Sequence, residues 1–285
     1  MRFILINDFF SDDLAGGGHA GGAALNDEIV IDIFTQKGEN VSKIKSSALS
    51  EEFLEKEKDS FFIISNFFQI APDLLEKIKE LNYLIYAHDY KFVAHMNPAV
   101  YDNFLIPKEQ LIFVDFFKKA KSIICQTNFQ KLIYDKNLES DNTVNFSGNL
   151  WDKESLDLMR RKSQKKNRKD IFSVVKSMYD QKGVPEAIKF CIHNRLDYEL
   201  IFDKNHNNFL SKLSANKGLV FWPKTPETCG RMILEAKMMN CVVFTNDLLG
   251  ASHEPWYSHD GEELISVMES KHDEIHELIK NIAKN

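Results

Sequence analysis

Residues 221–246 read FWPKTPETCGRMILEAKMMNCVVFTN, and four local signals follow one another along them. Phe221 ends an apolar run that begins at Gly218, the mark of a buried strand. Pro223 and Pro226 break the chain into a turn. Gly230 then opens a segment of helical period that lasts to Met239, and Cys241 starts a second β-branched run. Strand, turn, helix, strand is the unit from which parallel sheets are built, because parallel neighbours need a crossover, usually a helix.

Outward from this segment the same alternation repeats. In the second half, 171–175, 198–202, 218–221 and 241–245 read as strands, and 184–193, 207–213 and 230–239 as helices. In the first half, 2–6, 28–34, 60–65, 83–87 and 122–126 read as strands. The helical stretches 72–81 and 107–120 each start at a proline, which the first helical turn tolerates. The expected fold is α/β, with two Rossmann-like domains facing a central cleft. Residues 1–150 form the first domain, 151–170 a basic linker, 171–262 the second domain and 263–285 a C-terminal amphipathic helix with Leu264, Ile265, Met268, Ile275 and Ile279 in its apolar set.

The 221–246 segment also carries chemistry. A helix starting near Gly230 presents unpaired amides and the positive end of its dipole at Thr228, Cys229, Gly230 and Arg231, a site for a phosphate or diphosphate. Gly230 has no side chain to hold such a ligand off the backbone. Glu235 lies about 7–8 Å further along the axis. That is about the distance from a diphosphate to a ribose, whose hydroxyls a carboxylate accepts. Glu227, before the helix, stands on the other side of the phosphates. The arrangement points to a nucleotide diphosphate-sugar.

The spacing Glu227-x7-Glu235 within P-x-x-x-E-T-C-G-R-M-I-L-E-A resembles the E-x7-E segment of the retaining GT-B glycosyltransferases, family 4 and the related family 1-like enzymes. Three further stretches are similar to parts of that family in the same order: LIYAHDYKF with His88, NTVNFSGNLWD, and SVVKSMYDQKGVPEAIKF with Lys176 and Lys182. The resemblance implies a hexosyltransferase that retains anomeric configuration, uses no metal and holds no cofactor tightly. Its donor is a UDP- or GDP-sugar, held mainly by the second domain (171–262), and its acceptor a hydroxyl of a glycan, lipid-linked saccharide or protein, held by the first domain (1–150). By the same resemblance Glu235 holds the ribose, Glu227 the sugar, Lys182 and Lys176 the diphosphate, and His88 stands near the sugar. Gly17 and Gly18, in the glycine-rich 16–22 stretch, close over the phosphates.

The glycine stretch admits another reading, since Gly16-x-Gly18-x-x-Gly21 fits the dinucleotide fingerprint and would make the chain an NAD(P)-dependent oxidoreductase. Two more readings fit the same residues, a non-catalytic carbohydrate-binding relative and a nucleotide-sugar epimerase. The fingerprint normally follows its strand at once, whereas FFSDDLA separates these glycines from the first strand, so the glycosyltransferase reading is the one expected.

Composition narrows the classes. With 36 basic and 42 acidic residues the formal charge is −6, so no overall field draws the chain to nucleic acid. Four cysteines without C-x-x-C spacing fit reduced thiols. His272 and His276 share a helix face but no third ligand is evident, so no metal is expected. The opening MRFILINDFFSDD is too short in apolar residues for an export signal, and no apolar run spans a bilayer. The expected location is the cytoplasm. RRKSQKKNRK at 160–169, seven cations in ten residues, is either a solvated charge block or a contact to an anionic membrane surface.

Overall fold

The structure is a computed structural model and describes residues 1–10 and 21–285. They cluster into two compact units, Met1–Leu150 with Lys271–Asn285, and Trp151–Ser270.

The first unit is built on six parallel strands: β1 (Arg2–Asn7), β2 (Asn40–Lys45), β3 (Phe61–Ile64), β4 (Asn82–Tyr86), β5 (Ile123–Cys125) and β6 (Thr143–Asn145). Their order across the sheet is β2-β1-β3-β4-β5-β6. The strands β1, β3 and β4 are near-continuous apolar runs, as a sheet covered on both faces requires. Helices α1 (Gly22–Gln36), α2 (Glu51–Lys56), α3 (Pro72–Ile78), α4 (Val114–Lys119) and α5 (Asn128–Leu138) connect them.

Two expectations change here. The stretch 28–34, expected to be a strand, belongs to α1: its buried residues Asn26, Asp27, Ile29, Val30, Ile33 and Phe34 recur at three and four positions, the period of a helix. The true second strand is the more polar NVSKIK at the sheet's edge. The 107–120 stretch is not one helix either. A 3-10 turn at Lys108–Gln110 precedes α4, and Phe113, left-handed at φ 56°, interrupts the helical backbone between them.

The second unit has four parallel strands, β7 (Lys169–Val175), β8 (Tyr198–Ile201), β9 (Asn216–Val220) and β10 (Val242–Phe244), in the order β10-β9-β7-β8. Its helices are α6 (Lys153–Ser163), α7 (Val184–His193), α8 (His206–Leu213), α9 (Arg231–Met238) and the start of α10 (Gly261–Lys284). The 151–170 stretch is therefore ordered structure: Asp152 caps α6, accepting a hydrogen bond from the Ser155 amide at 2.7 Å, and Leu156 and Met159 lie in the unit's core. Along α10, Leu264, Ile265 and Met268 join the second unit's core, whereas Ile275, Ile279 and Ala283 join a cluster of the first with Phe3, Val30 and Phe34.

Candidate functional site

The C-terminal ends of β7 and β9 carry most of the expected site. After β9 the chain turns through Pro223 and Pro226 to Glu227, whose backbone is pinned: its amide donates to the Leu248 carbonyl and its carbonyl accepts from the Gly250 amide, both at 2.8 Å. The Glu227 carboxylate accepts a hydrogen bond from Lys182 Nζ at 2.6 Å. Lys182 precedes Gly183, which enters α7 at φ +59°, where a Cβ would stand 1.7 Å from the Trp222 carbonyl oxygen. Only glycine fits, and that contact ties the Lys182 turn to the chain leaving β9. Lys176 is exposed just past β7, its amide bonded to the Ile201 carbonyl at 2.9 Å.

Gly230 caps α9 at φ +84°, with Leu249 against the position a Cβ would take. The first-turn amides of α9 follow at Arg231 and Met232. Cys229 is buried beside them and Thr228 is partly exposed.

Glu235 is 2% exposed, one turn into α9. Its Oε1 accepts three hydrogen bonds, from Trp151 Nε1 at 2.9 Å, His206 Nε2 at 2.9 Å and Arg231 Nε at 3.1 Å. The Arg231 guanidinium also lies 4.6 Å from the centre of the Trp151 ring. Burial pushes the Glu235 carboxyl up, but hydrogen bonding and charge from His206, then the Arg231 charge and the Trp151 hydrogen bond, outweigh it and hold the group below the ordinary glutamate range. Trp151 and His206 were not legible as site residues, because they stand 84 and 29 positions from Glu235 in the chain; Trp151 lies in the NTVNFSGNLWD stretch, but nothing local ties it to Glu235.

His88 belongs to the first unit, just past β4. Its Nε2 lies 3.0 Å from Asp27 Oδ1 and its Nδ1 2.7 Å from Gln126 Nε2. An ionised carboxylate only accepts, so Nε2 carries the proton, and Nδ1 accepts from the Gln126 amide. The Asp27 carboxylate also accepts from Asn7 Nδ2. With its side chain 4% exposed, His88 is an oriented member of a buried Asp-His-Gln chain. Asp27 carried no sequence signal because it stands just before the 28–34 stretch, which reads as a strand, so its place in a helix was hidden. Gly17 and Gly18, with most of the Gly16–Gly21 fingerprint, lie outside the described residues.

Of the 160–169 cations, three have structural partners. Arg160 reaches Asp157, Glu262 and Glu269, at 2.7, 2.9 and 3.2 Å. Arg168 donates to the carbonyls of Ser214, Lys162 and Met239. Lys169 lies 3.6 Å from Glu199. Among the described residues no cluster of three or more metal-ligating side chains occurs, and no helix is long and apolar enough to cross a membrane.

The sequence matches no family model and no curated protein sequence. Solved structures do match. HepE of Anabaena, determined with UDP and glucose, superposes with a TM-score of 0.52 at 11% identity, over 100% of this chain and 93% of that one. The UDP-GlcNAc 2-epimerase of Methanocaldococcus jannaschii, determined with UDP-GlcNAc and UDP, gives 0.51 at 9% identity, over 96% and 93%. The fold is GT-B. Both units of the GT-B chain are Rossmann-like parallel sheets, and Lys176, Lys182, Glu227 and Gly230 all stand where such sheets bind ligands, outside the carboxyl ends of the strands.

Proposed function

We propose that this chain is a glycosyltransferase that moves a hexose from a nucleotide diphosphate-sugar to a hydroxyl acceptor, with retention of configuration and without a metal. The observation that carries this reading is the Lys182–Glu227 ion pair beside the N-terminus of α9, with a buried carboxylate, Glu235, one turn further on.

The roles follow from charge. The donor diphosphate meets Lys182, Lys176 and the first-turn amides of α9, which stabilise the negative charge that grows on it as it leaves. Binding draws Lys182 from Glu227, whose carboxylate is then available to the hydroxyls of the hexose. None of the described donors to Glu235 uses Oε2, so that oxygen takes the ribose hydroxyls while Trp151, His206 and Arg231 hold the carboxylate still. UDP is the nucleotide expected, since the solved structures that share the fold were determined with UDP. In the first unit Asp27 and Gln126 hold the His88 ring in one orientation, as an orienting group requires.

A second reading, a nucleotide-sugar epimerase, is favoured by the likeness to the M. jannaschii protein. Contact with an anionic membrane surface would fall to Arg161, Lys165 and Lys166, exposed cations of the basic run, since Lys169, also exposed, lies 3.6 Å from Glu199.

The test is a thermal melt against UDP-, GDP- and ADP-sugars, NAD and NADP. A ligand at 100 times its Kd adds about 2.7 kcal/mol. The reading requires a shift with a nucleotide-sugar that Glu227→Gln reduces, then transfer to an acceptor with the anomeric centre unchanged by NMR. A shift with nicotinamide cofactors alone overturns it. A free epimer as the product replaces it with the second reading.

A further inference from the structure

Among the described residues β8 stands at one edge of the second unit's sheet, paired only with β7. Its two faces differ. Phe172 and Val174 of β7 pack with Ala187 and Cys191 of α7, so their register partners Tyr198 and Leu200 also point to the α7 side. On the opposite side Ile201 joins Phe209 and Leu210 of α8 in the core. Helix α7 packs on β7 and β9 and leaves the α7 side of β8 bare: Tyr198, Leu200 and, directly after the strand, Phe202 are 36%, 50% and 47% exposed.

Ile192 extends this row. Phe190 of α7 stacks on Trp222 and lies 5.3 Å from Phe244, on the side of β9 and β10. Ile192, two positions further and so about 200° round the helix, faces the β8 side and is 66% exposed. The strand's backbone is open too. The carbonyls of Asp197 and Ile201 accept from the amides of Phe172 and Lys176, which turns the N–H and C=O groups of Tyr198 and Leu200 outward. Sheet edges are usually guarded by a charge, a proline or a bulge. Here the outward row is apolar, and Glu199, the charge within β8, points to the other face, where Asn216 and Lys169 hold it.

We propose that a second copy of this chain covers this edge, with the two β8 strands antiparallel about a two-fold axis at Leu200. The sequence matches itself about that axis. Leu200 meets Leu200 of the second copy, exchanging both backbone hydrogen bonds, and Tyr198 meets Phe202, an aromatic pair at each end. Asp197 and Asp203, which this register sets opposite each other, are offset by Lys212, 2.9 Å from Asp203. The area suffices as well. At roughly 200 Å² for a large apolar residue, Ile192, Tyr198, Leu200 and Phe202 offer on the order of 400 Å² per copy. Apolar atoms make up about 60% of an interface, so the pair would bury roughly 1,300 Å² in all, within the range of about 1,200–2,000 Å² for stable complexes. A helix laid on the edge would leave the outward N–H and C=O groups unpaired, and a foreign strand would leave the aromatic-Leu-aromatic match without a counterpart. The pairing is independent of what the chain catalyses.

The experiment is sedimentation velocity on the intact chain, over concentrations from about 1 to 100 μM. The wild type should sediment as a dimer, at twice 33.0 kDa. Leu200→Lys sets two cations opposite each other and should raise the dimer dissociation constant about a hundredfold or more. Tyr198→Thr, which keeps a residue suited to a strand, should raise it about tenfold. Equal amounts of Leu200→Lys and Leu200→Glu should recombine into a dimer, because the axis makes residue 200 its own neighbour. Far-UV circular dichroism of each variant should match the wild type, and if the Leu200 variants misfold, Tyr198→Thr decides alone. A monomeric wild type overturns the proposal, as does a dimer that the substitutions leave intact. Folded Leu200 variants that are monomeric and fail to recombine overturn the antiparallel register.

Discussion

Lys182 Nζ and Glu227 Oε1 stand 2.6 Å apart although 45 residues separate them. The pair joins the turn before α7 to the turn before α9, so the cation proposed for the diphosphate and the carboxylate proposed for the sugar hold each other in place. A partly exposed pair of this kind contributes about 0–1 kcal/mol to stability. Its importance is positional.

Lys182→Met should therefore leave the urea midpoint almost unchanged while weakening UDP binding about tenfold or more, read by titration calorimetry. Glu227→Gln should behave differently: UDP affinity rises or holds, because Lys182 is released from its partner, whereas the affinity for the complete nucleotide-sugar falls. Equal losses for UDP and its sugar in both variants would contradict this division of roles.

Glu235→Ala should destabilise the chain by about 3–5 kcal/mol, the usual cost of removing one partner from a buried charged cluster. Trp151 Nε1, His206 and Arg231 all lose their common acceptor. Urea unfolding measures this directly, and a loss under about 1 kcal/mol would mean that the cluster is more open to water than its burial indicates.

Acid should act on the same carboxylate. Its folded value lies below the ordinary 4.5, so as the pH falls the unfolded chain takes up this proton first. Between the two values the unfolded state holds more protons, and stability falls with falling pH. The contribution is complete above about 4.5 and disappears through the lower, folded value. Denaturation midpoints of the wild type and Glu235→Gln should therefore converge as the pH is lowered through that window and stay parallel above it.

Gly183→Ala should cost about 3 kcal/mol or more. The Cβ would meet backbone, the Trp222 carbonyl at 1.7 Å, in a left-handed conformation. Gly230→Ala, at φ +84° with Leu249 Cδ1 2.3 Å away, meets a movable side chain and should cost less. A melting series that reverses this order would show that the turn before α7 relaxes more easily than α9 does.

Arg168→Ala should destabilise the second unit, because its guanidinium serves carbonyls on three separate segments. Changing Arg161, Lys165 and Lys166 together to Gln should not move the melting temperature. Loss of binding to anionic liposomes in that triple variant would support the membrane contact, and unchanged liposome binding would remove it.

The sequence was most legible where its signals are local. In 218–246 a strand, two prolines, a glycine and a helix follow in order, and each element formed within a few residues of its expected place. It was least legible where composition and period disagree. IVIDIF is rich in β-branched residues, yet Ile29, Val30, Ile33 and Phe34 bury one helical face. The polar NVSKIK is a strand because β1 supplies its hydrogen bonds along one edge. Asp27 with His88, and His206 with Trp151 around Glu235, depend on contacts between distant segments, which no window of sequence displays.

The C-terminal helix bears on how the chain is made. Val30 and Phe34 in the first unit are covered by a cluster that includes Ile275 and Ile279, residues that leave the ribosome long after 1–150 are complete. A fragment cut after Leu150 would present those side chains to water, so the first unit cannot be obtained as a simple N-terminal piece. During synthesis its last apolar face waits for Lys271–Asn285, so the first unit finishes folding only after the intervening second unit has been made.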